Sequence, residues 1–426
     1  MATALKNKNN GWIKTVLNDP KYFQVVGSGV DAWVGKKNFL STKSVQGTKI
    51  ASIESEIDYF NRPSRANMQP KIGRVAFAKM RDTLKVLLSD KELSKFYILS
   101  TGFALIKPQI ESAYLYQVLQ TQRFNLQKDR YAEGSTQQAI SQSDFDKLTI
   151  SFPEDRQGQR KITEILSVID GAIEKTDALI EKYKRMKTGM MQDLFRYGID
   201  DKEKIRSEKT HKFKKSPLGK IPEEWGFKKL GSLREFITSG SRAWAQYYSD
   251  EGALFIRIGN LSRENIRIRF DDVVYVSPPN NSEGNRTNIK TGDVLVSITA
   301  DLGIVALAPR SLRDAYVNQH IALLRFTDIE TLSPWVAFYL WSNGGQKQFQ
   351  VLNDGGAKAG LNLPTVDSIL IPLPSKEERK KIIQSMMSIE EIILKESTEK
   401  YKLERIKNGL MEDLLTGIVR VNLLLK

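Results

Sequence analysis

The chain has 426 residues, 40% hydrophobic and 27% charged, which is the composition of a globular protein rather than a disordered one. This length suits two or three domains. There is no cysteine and only two histidines, His211 and His320, which argues against disulfides, thiolate zinc sites and catalysis by paired histidines. The formal charge of +15 favours a polyanionic partner such as nucleic acid.

The start of the chain and its apolar runs bear on where the protein works. Residues 1–10 are polar and contain lysine, without the apolar core of a signal peptide. No apolar run approaches the roughly 18 residues that a membrane-spanning helix needs. We therefore expect a cytoplasmic protein, with which the lack of cysteine agrees.

The first segment, residues 1–153, has the pattern of a mixed α+β domain. Residues 112–124 have helical spacing, and a strand-like run ends at Pro153. Short apolar runs bounded by turn residues predict further strands at residues 74–78, 85–88 and 103–106.

A long amphipathic helix is predicted in the next segment, residues 154–199. Its apolar residues recur at alternating intervals of four and three, as in a coiled coil that continues for about five heptads. Thr176 and Lys187 interrupt this seam. Its apolar members are Ile162, Leu166, Ile169, Ile173, Ile180, Tyr183, Met190 and Leu194. Further apolar residues outside the seam, among them Ile165 and Met186, indicate a second face for partner helices.

A lysine-rich connector, residues 200–222, leads into a second α+β segment, residues 223–374. We interpret the connector as a solvated basic linker, with a DNA-binding arm as the alternative. In the second segment, helical patterning covers residues 334–341. Strands are predicted at residues 254–258, 273–276, 293–299 and 321–326.

The last segment, residues 375–426, repeats the first long helix. When residues 161–195 are shifted by 220 positions, 12 of 35 residues are identical, including Lys187 with Lys407. Glu396, Lys400 and Lys407 interrupt the second seam. A strand-like run ending in proline precedes each helix, and Trp12 and Trp225 begin similar segments. The chain is therefore a tandem duplication, each copy consisting of one domain and one helix.

Three short motifs raise the possibility of catalysis. Gly27-Ser28-Gly29 resembles part of a nucleotide-binding glycine turn, but no acidic residue on a following strand completes it. The sequence SPPN from Ser277 resembles an amino-methyltransferase motif, but Asn280 replaces the aromatic residue that stacks on the target base. Asp271 and Asp272 are adjacent on a predicted strand and would point to opposite faces. We interpret all three as ordinary structure and expect no catalytic residue and no cofactor or metal site in this chain.

Residues suited to contact DNA concentrate in loops of both domains. The stretch SGSRAWAQYY from Ser239 combines glycine turns, side chains for base edges or phosphates, and aromatic packing. For any single residue a solvated surface role is the alternative. The second-domain candidates are Arg242, Trp244, Gln246, Tyr247, Arg257, Asn260 and Lys358. The first-domain candidates are Arg62, Arg65, Lys71, Arg74, Gln137 and Gln138.

Several motifs together resemble the specificity (S) subunit of type I restriction-modification systems. They are SPLGKIPEEW from Ser216, LPSKEERKKI from Leu373, KTGMMQDLF from Lys187 and KNGLMEDLLTGIVRV from Lys407. The resemblance implies an α+β fold of two globular target-recognition domains in pseudo-twofold arrangement, separated by two long antiparallel coiled-coil-like helices. Each domain would read one half of a bipartite, asymmetric double-stranded DNA site.

The resemblance also implies partner subunits. Two methyltransferase subunits would dock on the helices, and endonuclease-translocase subunits would complete the restriction enzyme, so S-adenosylmethionine, ATP and Mg²⁺ would belong to the partners. The residues we assign to the partner interface are Ile165, Leu166, Ile169, Ile173, Met186, Met190, Met386, Ile389, Ile393 and Leu410. Two alternatives remain at this point: a single-chain DNA methyltransferase or nuclease, and a helical assembly scaffold that does not bind DNA.

Overall fold

The computed structural model describes residues 11–133, 138–242, 244–354 and 360–421. The chain forms two compact units. Unit 1 consists of Met1–Asp177 and Thr398–Lys426, and unit 2 is Ala178–Ser397. Each unit therefore contains a globular domain and a part of each long helix, whereas the sequence analysis treated domains and helices as separate segments.

Unit 1 contains two four-stranded sheets. Their orders are β6-β3-β10-β7 and β2-β11-β8-β9, with β3 and β10 parallel and the other pairs antiparallel. The strands are β1 (Trp12–Val16), β2 (Phe23–Val26), β3 (Lys37–Leu40), β4 (Val45–Gln46), β5 (Lys49–Ile50), β6 (Ser55–Ile57), β7 (Ala66–Met68), β8 (Val75–Ala78), β9 (Val86–Leu88), β10 (Tyr97–Ser100), β11 (Phe103–Pro108) and β12 (Thr149–Pro153). The helices are α1 (Lys91–Phe96), α2 (Ser112–Leu119), α3 (Gln122–Tyr131) and the first part of α4 (Arg156–Leu194).

Unit 2 also contains two four-stranded sheets. Their orders are β16-β23-β20-β21 and β17-β19-β18-β22, and β18 and β22 are parallel. The strands are β13 (Phe213–Ser216), β14 (Gly219–Pro222), β15 (Gly226–Lys229), β16 (Phe236–Ser239), β17 (Tyr248–Ser249), β18 (Ala253–Ile256), β19 (Tyr275–Val276), β20 (Val294–Ser297), β21 (Val305–Leu307), β22 (Ala315–Val317), β23 (Ile321–Arg325) and β24 (Leu370–Leu373). The helices are α5 (Ser282–Thr287), α6 (Leu332–Trp341), α7 (Asn343–Asp354), α8 (Leu363–Asp367) and α9 (Lys376–Thr416), whose last part belongs to unit 1.

The two units repeat the same topology, as the duplicated sequence predicts. In both, the strand order first-fourth-second-third recurs in the antiparallel sheet, and two helices follow its last strand. In both, the strand before the long helix pairs with the start of the domain, β12 with β1 and β24 with β15. The predicted helix 112–124 is interrupted because Thr121 caps α3 through its hydroxyl, which accepts from the Phe124 amide at 3.2 Å.

The long helices pack antiparallel within each unit. In unit 1, Asp170 contacts Lys407 at 2.7 Å and Asp177 contacts Lys400 at 2.6 Å. Residue numbers therefore rise along α4 in the direction in which they fall along α9. The ends of the helices are part of the domain cores, because their seam residues are apolar on the side that meets the sheets. Ile162, Leu166, Met411, Leu414 and Leu415 are buried in the core of unit 1. Leu194, Phe195, Ile382, Ile383 and Met386 are buried in the core of unit 2.

The connector is folded, in contrast to the solvated linker predicted from its charge. Strands β13 and β14 form a hairpin, and Arg206 is buried against Glu378, with 2.5 Å between Nη1 and Oε1. The Glu378 carboxylate also accepts from the indole nitrogen of Trp225 at 3.2 Å. A buried ion pair whose remaining lone pairs are hydrogen-bonded is stable in a core, so this arrangement holds the connector against α9.

A glycine follows each long helix, at places that differ by one residue in the repeat of 220 positions. Gly198 has a φ of +63°, and a Cβ there would lie 2.5 Å from the ring of Trp225. Gly417 has a φ of +80°, and its Cβ would lie 2.9 Å from the ring of Trp12. The similarity between the Trp12 and Trp225 segments therefore reflects one repeated packing contact. Among the described residues, no helix is both long and apolar enough to cross a membrane.

Candidate nucleic-acid interface

In unit 2 the loop after β16 is held by close backbone packing. A Cβ on Gly240 would lie 2.3 Å from the carbonyl oxygen of Val317, so only glycine fits there. Trp244 follows and is 3% exposed, with its indole stacked on Phe255 at a centroid distance of 5.3 Å and an interplanar angle of 4°. These contacts fix both sides of the exposed residue Arg242.

Arg286, on α5, holds the same loop from a third direction. Its guanidinium donates to the Ser239 carbonyl oxygen at 2.6 Å and also to the hydroxyl of Ser241. Asn318 and Gln319, which follow β22, lie beside this loop, and His320 comes next in the chain. The His320 ring is hydrogen-bonded to the Thr299 hydroxyl at 2.7 Å and to the Gln319 amide at 3.0 Å. The sequence analysis did not identify these residues, because their proximity to Gly240 depends on strand pairing.

Among the candidates in unit 2, Arg242 and Gln246 are exposed and available to a ligand. Tyr247 is half-buried, with its ring edge-on to Trp244 at 5.6 Å. The prediction that Trp244 contacts DNA is corrected, because its indole is stacked on Phe255 and buried. Trp244 supports the loop instead.

Two other unit 2 candidates have partners inside the protein. Asn260 is 2% exposed, and its side chain bonds the main chain of Arg257, Arg269 and Asp272, so its predicted role in DNA contact is also wrong. Arg257 is partly exposed and paired with Asp272 at 3.0 Å.

The hairpin tip between β20 and β21 lies next to Gly360 and Leu361, which precede α8. Thr299 forms a bridge with Gly360, and the Leu361 amide donates to the Ile298 carbonyl oxygen at 2.8 Å. Lys358, predicted to contact DNA, lies outside the described residues. The surface of unit 2 that is a candidate for DNA contact therefore consists of the loop after β16, the segment 318–320 and this hairpin tip.

Unit 1 repeats the hairpin-tip arrangement. Met80, on the tip between β8 and β9, forms a bridge with Ala139. Arg81 donates to the side-chain oxygen of Gln138 at 3.0 Å, and its amide donates to the Gln138 carbonyl oxygen at 2.9 Å. Gln138 therefore lies beside Arg81, which was not among the predicted DNA-contact residues. Gln137 lies outside the described residues.

A fully buried lysine supports this tip. The ammonium of Lys128, on α3, donates to the carbonyl oxygens of Met80 and Thr83 at 2.7 and 2.6 Å. Burial lowers the pKa of Lys128, opposed by the nearby Asp129 carboxylate. The tip is therefore held in place from the interior.

The four cationic candidates of unit 1 are engaged within the domain. Arg62 lies over the ring of Tyr59, with its guanidinium carbon 4.4 Å from the centroid, and Arg65 is paired with Glu54. The side-chain of Arg74 donates to the Gln69 carbonyl oxygen at 3.1 Å. Lys71 contacts Asp31 at 2.7 Å and holds the pKa of that carboxyl below its ordinary value. To reach phosphates, these cations would have to exchange their present partners.

The predicted partner interface on the helices needs correction. Leu166, Met386 and Ile389 are buried within the cores or between the helices, so they do not face a partner. Ile165, Ile169, Ile173, Met190, Ile393 and Leu410 are half-buried. Met186 is 45% exposed, and its repeat equivalent Ile406 is 51% exposed. The other exposed apolar residues of the two helices include Val168, Met387, Ile392, Leu394 and Tyr401. The buried residues face the domains or the other helix, and these exposed residues lie on the remaining surface of the helices.

The three motifs weighed for catalysis have structural roles. The loop at Gly27 leads from β2 into strand β3, whereas a nucleotide-binding glycine turn would open a helix. The sequence SPPN from Ser277 precedes α5, which Asn281 caps. Asp271 is paired with Arg269, which lowers the pKa of Asp271, and no group of three metal-ligating side chains occurs among the described residues.

Comparison with known proteins agrees with this geometry. The family model for the type I restriction modification DNA specificity domain matches residues 26–182 and 222–405, once in each copy of the repeat. The chain belongs to this family of type I restriction-modification DNA specificity domains. The matched ranges include most of both domains and most of both helices.

Curated relatives and solved structures lead to the same assignment. The putative MjaX specificity subunit of Methanocaldococcus jannaschii is 28% identical over 366 residues, covering 84% of this chain and 78% of the relative. The HindI specificity subunit of Haemophilus influenzae is 22% identical, covering 89% and 93%. The crystal structure of a type I S subunit from M. genitalium has a TM-score of 0.59 at 17% identity, covering 96% of this chain and 97% of that one. The fold of this specificity chain is therefore that of S subunits.

Proposed function

We propose that this specificity chain reads a bipartite, asymmetric DNA site, with one domain on each half, and that it contributes no catalysis of its own. The supporting observation is the repetition, in units 1 and 2, of a hairpin tip bridged to a later segment of the domain, Met80 to Ala139 and Thr299 to Gly360. Two similar surfaces with different exposed side chains suit two different half-sites. S-adenosylmethionine, ATP and Mg²⁺ would be bound by partner subunits.

We further infer that the helices hold two methyltransferase subunits, to which endonuclease-translocase subunits are added. The exposed apolar residues Met186 and Ile406 support this role, because exposed apolar residues on a long helix favour helix–helix association. Since Met186 and Ile406 are repeat equivalents, two copies of one partner could use corresponding surfaces.

The test of DNA reading uses Arg242→Ala and Gln246→Ala with Arg310→Ala, an exposed arginine of the same unit, as control. Methylome sequencing of the host, with and without the gene, identifies the site. Fluorescence anisotropy then compares that site with random DNA. A lost base contact should weaken specific binding by about tenfold and random binding much less. Equal losses on both DNAs would assign the two residues to phosphate contacts.

The same measurements separate the alternatives. Affinity that does not change across a salt series would refute DNA binding and favour a helical scaffold. Methylation or cleavage by the purified chain, supplied with S-adenosylmethionine or Mg²⁺, would refute the non-catalytic role.

A further inference from the structure

Lys187 and Lys407 interrupt the two helical seams at equivalent positions, and each is a contact point between both long helices and a domain. In unit 2, Lys187 and Glu390 are 7% exposed each, and 2.8 Å separates Nζ from Oε1. The Lys187 ammonium also donates to the main-chain oxygen of Glu264, in the recognition domain, at 2.7 Å. It lies 4.6 Å from the ring centroid of Trp341, in the same domain. One ammonium thus joins α4, α9 and the domain.

Unit 1 contains the equivalent contacts, displaced by the repeat of 220 positions. Lys407, the equivalent of Lys187, lies 2.7 Å from Asp170, the equivalent of Glu390. Its ammonium donates to the side-chain oxygen of Gln120 at 3.2 Å, and Gln117 donates to Asp170 at 2.8 Å. Both glutamines belong to the recognition domain. We call each set, the lysine, the acid of the other helix and the polar groups of the domain, a lysine junction.

The chemistry of a lysine junction differs from that of the apolar seam around it. Apolar side chains attract without direction, so a seam of isoleucine and leucine tolerates small shifts of one element along another. An ammonium has three donors, each of which needs an acceptor along its N–H direction, and burial makes an unmet donor costly. Well-packed apolar residues would stabilise the contact as well as a buried ion pair does, so stability alone does not explain the lysine. Fixing the relative register of packed helices is the best-attested use of buried polar groups.

We propose that Lys187 and Lys407 are positioning residues that fix the orientation of each recognition domain on its helices, and thereby the spacer length accepted between half-sites. The spacer part rests on the proposed function. The orientation part does not, because every group in a lysine junction lies within one unit. The acid sets the register between the helices, and the bond to the domain sets the direction of the domain.

The test replaces each charged pair by an apolar one. Lys187→Met with Glu390→Met, and separately Lys407→Met with Asp170→Met, remove the directional bonds without leaving a lone buried charge. Lys184→Met is the control, since Lys184 is exposed and pairs with Glu181 on its own helix, at 3.0 Å. Thermal unfolding of the full chain identifies which variants are folded.

Orientation is measured by spin-label distances. The chain has no cysteine, so Lys182→Cys on α4 and Arg310→Cys in the domain of unit 2 give a labelled pair without background. We expect a narrow distance distribution for the wild type and the control, and a broad one for the folded variant of the Lys187 pair. A narrow distribution in that variant overturns the proposal. If that variant does not fold, the same measurement is made on the Lys407 variant with a label pair in unit 1. A positioning role predicts folded variants, so failure of both variants to fold also overturns the proposal.

Spacer choice is measured by methylome sequencing of cells that carry the complete system. A spacer one base pair too long or short should reduce wild-type methylation by about tenfold, as a mismatched pair does. This discrimination should fall in the variants and persist in Lys184→Met. Unchanged discrimination together with a broad distance distribution refutes the spacer part. A wild type that methylates no bipartite motif refutes the proposed function, while the distances still decide the orientation part.

Discussion

Replacement of Lys128 by methionine tests whether the hairpin tip of unit 1 depends on one buried ammonium. Lys128 is fully buried and donates to the carbonyl oxygens of Met80 and Thr83. Methionine has a similar length and fills the same space without a donor. The substitution therefore removes two hydrogen bonds to the tip while it preserves the packing.

The expected cost follows from two opposing effects. A hydrogen bond from a charged group contributes about 1.5–3 kcal/mol, so the loss of two would cost about 3–6 kcal/mol. The variant no longer buries a charge, and the desolvation saved offsets several kcal/mol of this. We expect a net loss of about 2 kcal/mol in the free energy of unfolding. Binding to the half-site read by unit 1 should weaken, and binding to the other half-site should not.

The pH dependence provides a sharper test. Burial lowers the pKa of Lys128 below its ordinary value of 10.5. Between the lowered pKa and 10.5, the unfolded chain binds more protons than the folded chain, so the wild type gains stability as the pH rises through this window. The methionine variant lacks this gain. The stability difference between wild type and variant should therefore be larger at pH 10 than at pH 7.

Urea denaturation at both pH values measures the difference, with Lys91→Met as the control because Lys91 is exposed in the same domain. A difference that shrinks between pH 7 and pH 10 would refute the assignment of a lowered pKa. Equal weakening at both half-sites would refute the local role of Lys128.

Three further predictions follow from particular contacts. Trp244→Ala should lower the free energy of unfolding by about 3–5 kcal/mol, as for other buried aromatic residues, and Gln246→Ala by nearly nothing in the same urea titration. Similar losses in the two variants would refute the burial of the indole. Asp144, which accepts from Ser141 and Lys147, has a pKa of about 2, so its stabilisation is complete above about pH 4 and lost toward pH 2. Asp144→Asn should therefore cost about 1 kcal/mol at pH 7 and nothing near pH 2, and a constant difference would contradict this. Met186→Asp should weaken co-purification with methyltransferase subunits without changing affinity for DNA, unlike Lys184→Asp; loss of both would indicate misfolding.

Local patterns predicted the parts of the fold whose signals are contained in one stretch of sequence. The 4-3 spacing predicted both long helices. Helix α4 begins and ends within about five residues of the predicted bounds, whereas α9 begins one residue after the predicted start and ends at Thr416, ten residues before the predicted end. The strands β8, β11, β20 and β23 were predicted because they are buried apolar runs bounded by turns. Short edge strands such as β4 and β17 were missed, because two residues carry no period.

The loops that are candidates for DNA contact were only partly predictable. The position of the loop after β16 and the exposure of Arg242 agree with its glycine-rich, polar sequence. The burial of Trp244 and Asn260 was not predictable, because their partners Phe255 and Asp272 meet them only in the folded domain. Arg81 and His320 were missed for the same reason.

The sequence by itself determined the duplication, the long helices and the family, because repeats and periodicity are properties of the order of residues. Tertiary structure alone decided what each polar residue contacts. Lys187 interrupts an apolar seam in the sequence, and only folding brings Glu390 and Glu264 to it from far along the chain. Burial depends on such distant partners, since a charge can leave water only where folding supplies its hydrogen bonds.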